Sequence, residues 1–174
     1  MAIVNPKHLL DQAERLLRPS GQGTKAIIRQ ADRRRAISSA YYAVFHFTLA
    51  AVADQFVGKS ERNNNRYTLA YRSIDHSKLE CLCKVASREK IDSKSKYAEF
   101  FPDGAFEQSV REFASLLIEL KEKRNAADYD PSHWVSVQDA RNAIKSASSA
   151  IENFERAPSV QKMIFLTLLV FPPR

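Results

Sequence analysis

Apolar residues recur along the chain at helical spacing, which predicts a protein built from helices. The longest apolar stripe lies in a helix predicted over residues 25–57, and its members are three or four positions apart. They are Ile37, Tyr41, Phe45, Leu49, Val52 and Phe56. No segment alternates between apolar and polar residues, as a half-buried strand would, over more than a few positions. The pattern therefore indicates an all-α fold.

Four further helices are predicted from capping signals or apolar stripes. They begin at Asn5 and Pro6, after Asp75, at about Ala105 and near Ser136. In the last of these, Asp139 stands three residues after Ser136, as in a capping box. We therefore expect one up-and-down bundle of four to five helices over residues 1–157.

Three segments fall outside this bundle pattern. Residues 58–67 form a polar stretch that predicts a loop, and residues 88–104 are charged and irregular, so we expect them to be mobile or partly disordered. Residues 158–174 form an apolar tail, whose nine-residue core is about half as long as a membrane-spanning helix. We expect the tail to be a strand or helix docked on the body or on a second subunit, with no membrane span.

Positive charge is concentrated in the first part of the chain. Residues 1–35 carry eight Lys or Arg against three Asp or Glu, which supplies most of the formal charge of +7. A basic surface attracts polyanions without regard to their sequence. Arg33, Arg34 and Arg35 are thus candidate nucleic-acid contacts, although a solvated charged face is the simpler explanation of the charge alone.

Several familiar catalytic motifs are absent from the sequence. It has no Gly-rich phosphate loop, no His-Glu-x-x-His, no paired-Cys motif and no Gly-x-Ser-x-Gly elbow. Cys81 and Cys83 are two residues apart on a predicted helix, so they point in different directions and form no common metal or disulfide site. We expect no metal and no cofactor, and a reduced, cytoplasmic protein without a signal peptide.

One arginine continues an apolar stripe. In the helix from about Ala105, the stripe consists of Phe106, Val110, Phe113, Leu117 and Leu120. The next position on that stripe is Arg124, which Asn125 follows. A buried guanidinium is costly unless it meets a partner side chain, a subunit interface or an anionic ligand. This helix is predicted to stop before Pro131.

Four stretches of the chain carry a resemblance to a known family. They are RRAISSAYYAVFHFTLAAV (34–52), DHSKL (75–79), KRNAADYDP (123–131) and the Ala-rich DARNAIKSASSAIENF (139–154). In this order and spacing they resemble HEPN domains, and more narrowly the small prokaryotic HEPN proteins with Ala-Tyr-Tyr-Ala and Arg-x-x-Ala-Asp-Tyr signatures. The resemblance covers roughly residues 5–156.

The resemblance implies a HEPN-like helical bundle that forms a homodimer. Many such proteins are metal-independent endoribonucleases and toxins of toxin–antitoxin pairs, encoded beside a minimal nucleotidyltransferase. Their motif is an arginine, usually a polar residue, four to six further residues and a histidine. Carried over to this chain, the motif implies that the Arg124 guanidinium stabilises negative charge on an RNA phosphate. It implies that the Asn125 amide orients that phosphate and that a histidine transfers protons.

The chain departs from that motif at the histidine. Four residues separate Arg124 from Tyr129, whereas eight separate it from His133, which lies beyond Pro131. His46 of the longest helix is a further histidine that could approach. The catalytic candidates are Arg124, Asn125, Tyr129 and His133, and Arg124 is also a candidate nucleic-acid contact.

Each of these residues also has a purely structural interpretation. Arg124 and Asp128 are four apart on one helix and could form an ion pair. Tyr129 could cap the end of the bundle, and Asn125 could satisfy helix-end carbonyls. His46 lies on an apolar helix, where a hydrogen-bonded core histidine is more common than a catalytic one.

Two function classes remain open from the sequence. The first is a HEPN endoribonuclease. The second is a non-catalytic HEPN dimer, which binds RNA or a nucleotide through Arg124, Asn125 and the basic N-terminal face, or serves as an adaptor for a nucleotidyltransferase partner. In a variant of the second class, Tyr129 accepts a nucleotidyl group from that partner.

Overall fold

The computed structural model describes residues 3–18, 29–101 and 104–173, and within these ranges the chain forms helices and no strand. The helices are α1 (Pro6–Leu16), α2 (Gln30–Phe56), α3 (Asn65–Tyr71), α4 (His76–Ala86), α5 (Gln108–Tyr129), α6 (Val137–Arg156) and α7 (Ser159–Val170). Two short 3-10 turns, Lys59–Glu61 and Ala98–Phe100, lie in the connections. The all-α prediction is confirmed, and the described part of the chain has more helices than the four to five expected.

The central helix of the bundle is α2, which packs against α1, α3, α5, α6 and α7. Its predicted stripe is buried from Ile37 to Val52, but Phe56 at its end is exposed and lies edge-on against Phe171. The predicted start of this helix, residues 25–28, lies outside the described residues. By length and composition α2 could cross a membrane, but 72% of its most apolar window is buried inside the protein, as in the core helix of a folded domain.

Side-chain caps fix where several helices begin. Asn5 accepts a hydrogen bond from the backbone N–H two residues on at 3.0 Å, with Pro6 in the first helical position. At the start of α6, Ser136 accepts from the Asp139 N–H at 3.0 Å, and Asp139 accepts from the Ser136 N–H at 2.9 Å. The predicted capping box is therefore confirmed. These bonds satisfy N–H groups that a helix leaves without partners.

The predicted loop over 58–67 is wrong in its last three residues, because α3 begins at Asn65. Tyr67 has no solvent-exposed surface, and its hydroxyl donates to Asp54 of α2 at 2.8 Å. A buried tyrosine with a carboxylate acceptor provides an anchor that holds this short helix on α2. Because the residues around Tyr67 are polar, the hydropathy pattern alone does not predict this helix.

The charged segment 88–104 is irregular, as expected, and is joined to the body at both ends. Ile91 and Phe101 are buried in the main core. The Ile91 N–H donates to the Gly104 carbonyl at 2.9 Å, and Gly104 has a φ of +79°, in the left-handed region that favours glycine. The mobility of the segment stays a prediction.

The apolar tail contains a helix, α7, docked on the body of the protein. Phe165 is fully buried, with ring centroids 5.9 Å from Phe106, 5.5 Å from Phe113 and 5.7 Å from Phe154. These rings come from α5, α6 and the segment before α5. The tail is thus part of the same core as the bundle, which is one of the two placements that we expected.

Replacing Phe165 with alanine should lower the free energy of unfolding by about 3–5 kcal/mol, because the change leaves a cavity among three aromatic rings. Thr167→Ala, at an exposed position of the same helix, is the matched control and should change stability little. Urea denaturation measures both variants. A Phe165→Ala midpoint equal to that of the wild type would contradict the placement of α7 in the core.

Candidate functional site

Arg124 lies near the end of α5, and its side chain is only 13% exposed. Its Nη2 donates to the Tyr42 hydroxyl of α2 at 2.6 Å, and its Nη1 donates to Asn125 Oδ1 at 3.1 Å. Nε lies 2.8 Å from Asp128 Oδ2 in an ion pair, although this buried N–H makes no hydrogen bond. The arginine thus follows the buried face of α5, as the apolar stripe predicts.

Three tyrosine rings surround the Arg124 guanidinium. Its central carbon lies 5.9 Å from the ring of Tyr41, 5.3 Å from that of Tyr42 and 5.1 Å from that of Tyr129. Such cation–π contacts offset part of the cost of burying the charge. Tyr41 is buried, whereas Tyr129 is 70% exposed. The cage is therefore closed on the α2 side and open towards solvent at Tyr129.

The Arg124 guanidinium keeps its charge in this setting. Burial acts to lower its pKa, but the hydrogen bond to Tyr42 and the charge of Asp128 act in the opposite direction and raise it overall. Asp128 is itself held in place, because the Ser38 hydroxyl donates to its other oxygen. The site therefore holds a fixed positive charge at the end of a helix.

His76, the first residue of α4, belongs to the same cluster. Its Nδ1 is hydrogen-bonded to the Tyr41 hydroxyl at 2.7 Å, and its ring stacks on Phe45 with centroids 4.0 Å apart. Burial raises the pKa of Tyr41, so its hydroxyl stays protonated. Tyr41 thus contacts both the imidazole of His76 and the guanidinium of Arg124. Sequence reasoning missed His76 as a site residue, although it lies in the quoted motif DHSKL.

A second imidazole stands beside the cluster. His46 Nδ1 is hydrogen-bonded to the Tyr71 hydroxyl of α3 at 2.8 Å, and its ring stacks against Tyr42 at 6.1 Å. This is the hydrogen-bonded arrangement that the structural interpretation of His46 expects. Through Tyr42, His46 is only one side chain removed from Arg124.

Both imidazoles are neutral at neutral pH. Burial is the main cause that lowers the pKa of His76, and the positive charges of Arg124 and Lys121 lower it further. Burial is also the main cause that lowers the pKa of His46, and a proton on His76 lowers it further. A neutral imidazole can accept a proton. The site thus combines a permanently charged guanidinium with two imidazoles that can accept a proton.

Arg34 fixes the end of α5, where the site lies. Its Nε donates to the Ala127 carbonyl at 2.6 Å, Nη2 to the Asp130 carbonyl at 2.7 Å and Nη1 to the His133 carbonyl at 3.2 Å. A cation that satisfies the free carbonyls of a helix end also complements the helix dipole. Arg34, predicted as a nucleic-acid contact, is therefore engaged inside the protein.

The two neighbours of Arg34 differ in their surroundings. Arg33 Nη1 donates to the Val135 carbonyl at 3.2 Å, and its guanidinium lies 5.6 Å from the Trp134 ring. Arg35 is exposed. Of the three arginines predicted to contact nucleic acid, two hold the turn between α5 and α6, and one faces solvent.

The structure brings together three of the four catalytic candidates. Asn125 and Tyr129 both contact Arg124. His133 is held through its backbone, with its N–H on the Asp130 carbonyl and its own carbonyl on Arg34. Among the described residues, no hydrogen bond, ion pair or ring contact joins the His133 side chain to Arg124.

No protein-family model, curated protein or solved structure matches this chain. Within residues 3–18, 29–101 and 104–173, no group of three or more His, Cys, Asp or Glu side chains is arranged to hold a metal ion. Any inference about function therefore depends on the sequence motifs and on the geometry around Arg124.

The lowered pKa of His76 should make the protein less stable in mild acid. The unfolded chain, with an ordinary pKa of about 6.5, then binds the proton more readily than the folded chain. The contribution is fully present above about pH 6.5 and is lost as the pH falls through the folded-state pKa. Urea denaturation at several pH values should show a smaller loss of stability on acidification for His76→Phe than for the wild type.

Histidine ring proton shifts, followed by NMR over the same pH range, provide a direct check. The resonances of His76 and His46 should titrate with midpoints below about 6.5. Midpoints at or above that value, together with equal pH dependence of stability in the wild type and His76→Phe, would contradict the neutral, partly buried imidazoles.

Proposed function

We propose that this chain is an RNA-directed HEPN protein and that the cluster around Arg124 cleaves RNA without a metal ion. The observation that carries the proposal is the juxtaposition of a charged guanidinium and a neutral imidazole on one tyrosine. The Tyr41 ring lies 5.9 Å from the Arg124 guanidinium carbon, and the Tyr41 hydroxyl lies 2.7 Å from His76 Nδ1. Phosphate stabilisation and proton transfer need these two groups close together.

The contact between the motif segments also supports the HEPN assignment. Tyr42, in the Ala-Tyr-Tyr-Ala segment of α2, accepts the hydrogen bond from Arg124, in the RNAADY segment of α5. His76 comes from the third quoted motif and reaches Tyr41 in the first. Segments that are far apart in sequence thus meet at one place, as residues of a shared site would.

In the proposed reaction, the RNA 2′-hydroxyl oxygen attacks the adjacent phosphorus. His76 removes the proton of that hydroxyl. The tautomer with its proton on Nδ1 donates to the Tyr41 oxygen and leaves the lone pair of Nε2 to accept. The bond from phosphorus to the 5′ oxygen breaks, and this oxygen takes a proton from solvent, to which protonated His76 then returns the proton that it removed. The products are a 2′,3′-cyclic phosphate and a 5′-hydroxyl.

Arg124 stabilises the negative charge that gathers on the phosphate during this step. Its Nη2 stays on the Tyr42 hydroxyl and keeps the guanidinium in place. Its Nη1 bonds only to the exposed side chain of Asn125, which can turn aside and leave an Nη1 N–H free to donate to a phosphate oxygen. In this assignment His76 takes the proton-transfer role for which His133 was a candidate.

We extend the proposal to the assembly that the HEPN resemblance implies. The chain would act as a homodimer and as the toxin of a toxin–antitoxin pair, with a minimal nucleotidyltransferase as its partner. Two copies would bring two Arg124 sites to one RNA. The open side of each cage, at Tyr129 and Asn125, is the side that an RNA or a partner could reach.

The exposure of Tyr129 favours a second candidate function, in which the protein is non-catalytic and is modified by its partner. The Tyr129 side chain is 70% exposed at the end of α5. Its hydroxyl oxygen would attack the α-phosphorus of a nucleoside triphosphate, with release of pyrophosphate and loss of the phenolic proton. A mass increase of one nucleotidyl group after co-expression with the partner, absent from Tyr129→Phe, would identify this function.

Purified protein should cleave RNA in EDTA, and two single changes should slow cleavage at least about a hundredfold. Arg124→Ala removes the charge at the phosphate, and His76→Ala removes the base. The assay follows 5′-labelled RNA on denaturing gels, with the wild type measured beside each variant. Far-UV circular dichroism verifies that each variant is folded.

Arg141→Ala, at an exposed position on α6, is the charge-matched control and should cleave like the wild type. His133→Ala should also keep its activity. This result would distinguish His76 from His133 as the residue that transfers the proton. Full activity in both Arg124→Ala and His76→Ala would contradict the proposal that these residues form the cleavage site. If the wild type leaves every RNA intact, the non-catalytic function becomes the better one.

A further inference from the structure

Two large aromatic side chains are exposed at the end of the bundle that carries Arg124. Tyr129 is 70% exposed and Trp134 is 68% exposed. Each ring lies against a guanidinium, with Arg124 at 5.1 Å from Tyr129 and Arg33 at 5.6 Å from Trp134. A large aromatic ring left open to solvent, with a cation beside it, is a feature that the core does not require.

The turn that connects the two rings is firmly held. Arg34 donates to the carbonyls of Asp130 and His133 in this turn. Asp130 accepts from both the backbone N–H and the hydroxyl of Ser132, at 2.9 Å and 2.6 Å. Val135, directly after Trp134, is fully buried. The exposed rings are therefore presented on a fixed support rather than on a loose loop.

We propose that Tyr129 and Trp134 form a stacking platform for nucleobases of a single-stranded RNA. Aromatic rings bind unpaired bases of any sequence by stacking, while bases within a duplex are already stacked and paired. The inference rests on the proposed function only in naming RNA as the strand. It adds the substrate class, which is an unpaired rather than a double-stranded segment.

The geometry connects the platform with the proposed cleavage site. Because the Tyr129 ring lies 5.1 Å from the Arg124 guanidinium carbon, we expect a strand with a base stacked on Tyr129 to pass close to that charge. Five residues of chain span at most about 18 Å, so both rings can contact one short strand. The two carboxylates that flank Tyr129 in sequence already have partners, since Asp128 pairs with Arg124 and Asp130 accepts from Ser132.

Trp134 is the only tryptophan of the chain, so its fluorescence reports directly on stacking. A short single-stranded 2′-deoxyoligonucleotide of mixed sequence is the probe, because it lacks the 2′-hydroxyl that cleavage uses. Titration at low salt should quench the emission to a plateau. A duplex of the same length should bind at least about tenfold more weakly.

Variants test the two rings separately, by fluorescence anisotropy of the labelled oligonucleotide. Tyr129→Ala and Trp134→Ala should each weaken binding about tenfold, and Tyr129→Phe and Trp134→Phe should restore most of it. Leu69→Ala is the matched control, since Leu69 is 74% exposed on α3, and it should bind like the wild type.

Three results would overturn the platform. They are an absence of oligonucleotide binding, unchanged Trp134 emission at full binding, and alanine variants that bind as tightly as the wild type. Failure of the proposed cleavage is distinguishable from these results. Quenching by the oligonucleotide with no cleavage of RNA supports the platform and contradicts the endoribonuclease, whereas cleavage without quenching does the reverse.

Discussion

The end of α5 is held by one arginine of α2, and the candidate site depends on that attachment. Arg34 donates three hydrogen bonds, to the carbonyls of Ala127, Asp130 and His133. Without these bonds, the helix end would have unpaired carbonyls and would fray. Because α2 also supplies Tyr42 to the cage, the same helix positions both the arginine of the site and its main partner. The hydrogen bonds that hold the end of α5 and the contacts that position Arg124 are thus both made between α2 and α5.

Arg124 is difficult to explain by stability alone. Removing a guanidinium from water costs several kcal/mol, and a single ion pair commonly does no more than offset that cost. In this protein the ion pair with Asp128, the hydrogen bond to Tyr42 and the cation–π contacts together offset that cost. A leucine at the same position would continue the apolar stripe with no such requirement. The arrangement is consistent with a charge kept for binding an anion, at the end of the bundle where the exposed rings of Tyr129 and Trp134 also lie.

The apolar stripes predicted the long helices well, because burial of one face leaves a periodic record in the sequence. The short α3 left no such record, since one buried ring, Tyr67, and its acceptor Asp54 hold it in place. The site was predictable where it continues a stripe, which is how Arg124 was found. His76 was missed because its partner Tyr41 is far away in sequence, and no spacing rule connects the first residue of one helix with the middle of another.

We propose that RNA binds at the end of the bundle where the Arg124 cage and the exposed rings of Tyr129 and Trp134 lie. Nuclear magnetic resonance spectra of the ¹⁵N-labelled protein, titrated with an uncleavable 2′-deoxy dinucleotide, test this location directly. The account predicts that the largest shifts fall on the Arg124 Nε–H, the Trp134 indole N–H and the imidazole of His76. Shifts confined to the opposite surface, such as the groove between the start of α1 and the end of α6 that Lys7 and Glu155 line, would contradict it.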